Sequence, residues 1–105
     1  MIKVLVVDDH ELVRSGISRL LSDAKGIEVV GEAESGEEAV QFAKEYEPDI
    51  VLMDIRMPGI GGLEATRKII RQNEEIQVIA VTACDDNPYA SRLLQAGASG
   101  YITKG

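Results

Sequence analysis

Short apolar runs alternate with longer stretches of helical periodicity along this chain, and the runs end on polar residues. Val4-Leu5-Val6-Val7 is a compact β-branched run that ends on Asp8-Asp9, which predicts a first strand with carboxylates at its C-terminal end. Residues 11–21 place Leu12, Val13, Ile17, Leu20 and Leu21 on one helical stripe, with Arg14, Ser18 and Arg19 elsewhere, and Asp9 or His10 is positioned to cap that helix. After Gly26, residues 27–33 predict a second strand. Ser35-Gly36-Glu37-Glu38 has the form of a capping box, Ala39, Val40, Phe42 and Ala43 supply the apolar face of a second helix, and Pro48 closes the unit.

Ile50-Val51-Leu52-Met53-Asp54 is an apolar run of the kind buried on both faces, and it delivers a single carboxylate, Asp54, to its end. The following residues 56–62 contain Pro58 and three glycines, which suits a tight turn, and a third helix is expected over residues 63–72. Residues 77–81 predict a fourth strand ending at Thr82-Ala83. Asp85-Asp86-Asn87-Pro88 marks a helix start, with Leu93, Leu94 and Ala96 on a fourth helix, and Tyr101-Ile102-Thr103 predicts a short fifth strand. Strict alternation of strands and helices argues for an α/β fold, a parallel sheet with helices on both faces. The sequence stops before a helix that would cover the last strand. This predicts a fragment, or a domain cut from a longer chain, with part of one sheet face uncovered.

Composition narrows the function. A chain of 105 residues, 45% hydrophobic and 28% charged, predicts one globular domain, and its N-terminal segment does not resemble a signal peptide. No run approaches a membrane span, so a cytoplasmic location without membrane contact is expected. Eleven basic against eighteen acidic residues give a net charge of −7, the wrong sign for gripping a phosphate backbone directly. One cysteine and one histidine offer no soft metal-ligand pattern, so a hard, oxygen-liking cation is expected.

The chemistry lies at the strand ends, where ligands bind in parallel sheets. Asp8 and Asp9 come from the first strand, Asp54 from the third, Thr82 from the fourth and Lys104 from the fifth. Three gathered carboxylates repel and raise one another's proton affinity unless a cation lies among them, and oxygen ligands in a partly hydrated pocket suit Mg²⁺. A hydroxyl and an ammonium complete the surroundings of a phosphoryl group, and a carboxylate can take that group as nucleophile to form an acyl phosphate.

Taken together, Asp8-Asp9, Asp54 followed by Met57-Pro58-Gly59, Thr82-Ala83 and Lys104 resemble the receiver domains of two-component response regulators, over the whole of residues 1–105. The segments 7–14 and 58–67 are most similar to the NarL-type branch, and within it to the GacA/UvrY regulators, which carry a C-terminal helix-turn-helix DNA-binding domain. The resemblance implies a flavodoxin-like doubly wound sheet with strand order 2-1-3-4-5, here without its fifth helix and without the output domain. It implies phosphorylation of Asp54 by the phosphohistidine of a sensor histidine kinase. It also implies Mg²⁺ held by Asp9, Asp54 and the backbone carbonyl of Arg56, with Asp8 acting through water. Thr82 and Lys104 are then the other catalytic residues, and Thr82 with Tyr101 the switch pair. Output is control of transcription, with DNA bound only through the absent domain. The uncovered sheet predicts a homodimer or domain-swapped self-association. Gly105 replaces the proline many members carry after the lysine, and Arg56 and Cys84 occupy positions that tune phosphoryl lifetime.

Singly, these residues have plainer readings. Asp8-Asp9 can cap a helix, Asp54 can be a turn residue, Thr82 and Lys104 can be ordinary strand-end and surface residues, and Tyr101 can be a core or interface aromatic. His10 and Cys84 are assigned no catalytic role. The main rival is a Mg²⁺-dependent phosphatase of the aspartyl-phosphate class, but such enzymes need a second carboxylate two residues after the nucleophile, where this chain has Arg56. The other rival is a receiver-like interaction domain that no longer takes phosphate, against which the intact set of five residues stands. Self-catalysed phosphorylation in a signalling module, not turnover of a substrate, is the expectation.

Overall fold

The computed structural model of the protein describes residues 1–54, 61–82, 92 and 94–103, with only the backbone described at 82 and 103. Its elements run β1 (Ile2–Val7), α1 (Glu11–Ser22), β2 (Ile27–Ala33), α2 (Gly36–Tyr46), β3 (Ile50–Asp54), α3 (Gly61–Gln72), β4 (Gln77–Thr82) and β5 (Gly100–Thr103). All strand pairs are parallel and the order across the sheet is β2-β1-β3-β4-β5, the flavodoxin-like arrangement expected from the sequence. The helix expected to begin near Pro88 falls mostly outside the described residues, although the Ala96 N–H donates to the Arg92 carbonyl at 2.9 Å, a helical bond.

Register explains the core. Leu5 lies beside Val51 and Val51 beside Val78, while Val7, Met53 and Ala80 form the next row. Ala39 and Ala43 of α2 and Ala65 and Ile69 of α3 pack against that face, the three alanines letting the helices approach the sheet closely. The pleat then fixes the functional ends: Asp8 follows Val7 and Asp54 follows Met53, so both carboxylates leave the sheet on the opposite face.

On that second face α1 packs against β1 and β2, but through only part of the expected stripe. Leu12 is 87% and Leu20 74% exposed, whereas Ser18 is buried and Arg14, Ile17 and Leu21 are partly so. The apolar stripe is offset by about a quarter turn from the face that meets the sheet. Periodicity shows that a helix is two-faced; it does not say which neighbour each face meets. On the same side of the sheet Ile102 of β5 is 52% exposed.

The helix ends follow local chemistry. His10 is the N-cap of α1 but makes no side-chain capping bond there. At α2 the Ser35 hydroxyl accepts from the Glu38 N–H at 3.1 Å, and the Glu38 carboxylate accepts from the Glu34 N–H at 2.9 Å, one residue earlier than a standard capping box. The C-cap of α2, Glu47, is left-handed (φ 47°, ψ 58°), a conformation in which a side chain costs about 1 kcal/mol or more relative to glycine. Glu47→Gly is therefore expected to stabilise the protein by about 1 kcal/mol, seen as a higher urea midpoint at unchanged slope; a lower midpoint would contradict this. Helix α3 begins two residues before its expected start, at Gly61 with φ 75°, and the buried Thr66 hydroxyl donates to the Gly62 carbonyl at 2.7 Å.

Candidate functional site

The pairing of β1 with β3 brings two acids together. Val7 lies opposite Met53, so Asp8 and Asp54 are neighbours one step further along. They are almost fully buried, at 1% and 4% exposure, while Asp9 stands nearer the mouth. Ligand atoms of Asp8, Asp9, His10 and Asp54 all lie within 4.8 Å of one another. The convergence of the three carboxylates expected from the sequence is thus present.

Several contacts hold the end of β1 in place. The Asp8 N–H donates to the Ala33 carbonyl at 3.0 Å, which ties it to the end of β2. A guanidinium N–H of Arg14 donates to the Asp8 carbonyl at 2.8 Å, and Arg14 Nε donates to Glu32 at 3.1 Å. This single side chain bridges α1, the β1 terminus and β2, and it brings a positive charge to the edge of an acidic cluster. In the sequence Arg14 is simply a residue off the apolar stripe of α1. The available hint is that an inward-facing arginine seven residues beyond a strand end can reach back to the residue that follows the strand.

His10, for which the sequence points to no catalytic role, places its Nδ1 3.0 Å from Asp9 Oδ1 and 3.3 Å from Asp8 Oδ1. Its backbone N–H donates to the same Asp8 oxygen at 2.9 Å. Adjacency to Asp9 was the available hint; the direction of the ring was not legible.

The remaining predicted residues are placed by backbone or lie beyond the described residues. Asp54 pairs with Val81, so Thr82 ends β4 one position beyond Asp54 on the neighbouring strand. Thr82 pairs in turn with Thr103, the residue before Lys104. Arg56, Cys84, Lys104 and Gly105 lie outside the described residues. Tyr101 sits on β5 opposite Ala80 and is 46% exposed.

The donor set fits a hard divalent cation. Carboxylate oxygens from three residues converge, two from buried side chains and one from the partly open mouth, which suits an ion that takes one or two carboxylates and keeps water. Asp8, Asp9 and Asp54 are the residues that would hold Mg²⁺. A cleft lined by Ala43, Lys44, Glu47, Gln72, Asn73 and Ile76 lies near the opposite, N-terminal ends of the strands and has no part in this site. Among the described residues no helix is long and apolar enough to cross a membrane.

Comparison with known proteins agrees with this geometry. The family model described as "Response regulator receiver domain" matches residues 4–105. The response regulator GacA of Pseudomonas syringae pv. syringae is 64% identical over 105 residues, all of this chain and 49% of that protein, so the chain spans about half the length of the curated relatives it matches. A LuxR-family two-component response regulator from Aurantimonas sp. superposes with a TM-score of 0.93 at 41% identity, covering 98% of this chain and 74% of that one. The CheX–CheY–BeF3–Mg complex from Borrelia burgdorferi superposes with a TM-score of 0.91 at 28% identity, covering 99% and 78%.

Proposed function

The chain belongs to the response regulator receiver domains, and from that premise we propose that Asp54 accepts a phosphoryl group in a Mg²⁺-dependent reaction. The observation that carries this reading is the meeting of Asp8, Asp9 and Asp54 at the ends of two adjacent strands. An Asp54 carboxylate oxygen attacks phosphorus, the bond from phosphorus to the donor histidine nitrogen breaks, and an acyl phosphate forms as the histidine leaves with the electron pair. The donor is a sensor histidine kinase.

When bound, Mg²⁺ supplies charge that offsets the phosphoryl oxygens and the crowded carboxylates. Asp9, Asp54 and the Arg56 carbonyl would hold it, with Asp8 acting through water. Lys104 balances charge on the transferring group and Thr82 hydrogen-bonds one of its oxygens. Movement of Thr82 toward that group, with Tyr101 turning inward, alters the surface around β5, so that phosphorylation biases a pre-existing equilibrium. The exposed Tyr101 ring is compatible with the outward member of such a pair. The module changes its own state and does not turn over a diffusing substrate.

The chain covers about half of its curated relatives, which supports a longer protein; in our reading that protein is cytoplasmic, a further helix covers the region around Ile102, and a DNA-binding domain controls transcription. Left uncovered, that apolar region favours a homodimer or swapped self-association.

Chelation tests the cation dependence. Incubated with a small phosphodonor, the protein is expected to gain one phosphoryl group with Mg²⁺ present, none with excess EDTA, and one again when Mg²⁺ is restored. Labelling that ignores EDTA would contradict the reading.

A further inference from the structure

We propose that His10 is a conditional ligand of the acidic cluster, giving this site a second, nitrogen-containing coordination mode selective for borderline transition dications such as Zn²⁺. The inference rests on reading the cluster as a divalent-cation site. Its own basis is the placement of the His10 ring, whose Nδ1 lies against carboxylate oxygens of Asp8 and Asp9. All four potential ligand atoms fall within 4.8 Å of one another.

A cation entering that space meets the imidazole directly. With a proton on Nδ1 the ring donates toward the carboxylates; with the proton on Nε2 the Nδ1 lone pair faces the cation. The two classes of ion then part company. Mg²⁺ demands oxygen donors and retains water, so the ring is displaced toward solvent, where the side chain is already 67% exposed. Zn²⁺ accepts imidazole readily and has low coordination demands, so His10 with two or three carboxylates makes a sufficient ligand set. The His10 backbone N–H, bonded to Asp8 Oδ1 at 2.9 Å, anchors the residue beside the site in either case. Bound in this mode the cation would be held partly by a residue outside the phosphoryl-transfer set, and Zn²⁺ would compete with Mg²⁺.

The chain has a single histidine, so its ring nitrogens report without ambiguity. Zn²⁺ and Mg²⁺ are titrated separately into ¹⁵N-labelled protein, with affinities from calorimetry, and both titrations are repeated in Cys84→Ser to remove the only thiol. Zn²⁺ is expected to shift Nδ1 strongly and Mg²⁺ is not. His10→Gln is expected to weaken Zn²⁺ at least about tenfold while leaving Mg²⁺ affinity unchanged. His10 makes no side-chain capping bond, so the variant should retain its fold, which the amide spectrum checks directly. Zn²⁺ binding with Nδ1 unmoved, or equal loss of both ions in the variant, would overturn the inference while leaving the cation site intact. Failure of both ions to bind wild-type protein would overturn the cation site as well.

Discussion

Asp54→Asn is expected to lower phosphoryl incorporation to background while leaving the fold unchanged. An amide oxygen is a poor nucleophile, and loss of a covalent nucleophile typically costs on the order of a millionfold in rate, far below detection in a labelling assay. The substitution also removes one of three gathered carboxylates and so weakens the cation site. Its folding consequences run the other way. Asparagine has nearly the same shape, and removing one buried charge relieves repulsion with Asp8, so the denaturation midpoint is expected to hold or rise. Unfolding of the variant, or labelling equal to wild type, would each contradict the account. The pairing of lost chemistry with retained stability separates a functional carboxylate from a structural one.

Met53→Ala is expected to act first on stability. Met53 is fully buried, sits in the row shared by Val7 and Ala80, and belongs to the cluster that α2 and α3 cover. Truncation leaves a void that close-packed neighbours fill only in part, at a cost of about 2–5 kcal/mol. Domains of this kind are stable by about 5–15 kcal/mol, so a substantial fraction is lost. The urea midpoint should fall sharply at unchanged slope. Because Met53 precedes Asp54 on the same strand, the variant is also expected to be phosphorylated more slowly at a temperature where it remains folded. A loss below about 1 kcal/mol would contradict the packing described here.

What the sequence disclosed follows from which forces act locally. The apolar run 50–54 and the alternation of short strands with helices were sufficient for the fold class, and resemblance supplied the strand order that the structure shows. Asp8, Asp9 and Asp54 were legible because strand ends in a parallel sheet share one edge. The Ser35 cap was legible because its bond spans three residues. The orientation of α1 was not, since Leu12 and Leu20 satisfy helical periodicity whether or not anything covers them. Gly61 and Gly62 read as a loop because glycine is a poor helix former, yet α3 begins there. Arg14 and His10 were set aside because their contacts join segments whose approach depends on the whole fold: Arg14 reaches Glu32 on another strand, and His10 turns back onto the acids that precede it.

The central claim is that Asp54, among the three clustered acids, carries the phosphoryl group. Borohydride reduction of the phosphorylated protein, followed by peptide mass spectrometry, converts an aspartyl phosphate to homoserine and so marks the acceptor. Homoserine is expected at position 54 alone, only with Mg²⁺ present. Homoserine at Asp8 or Asp9, or none in a protein shown to be folded and to bind Mg²⁺, would contradict the account.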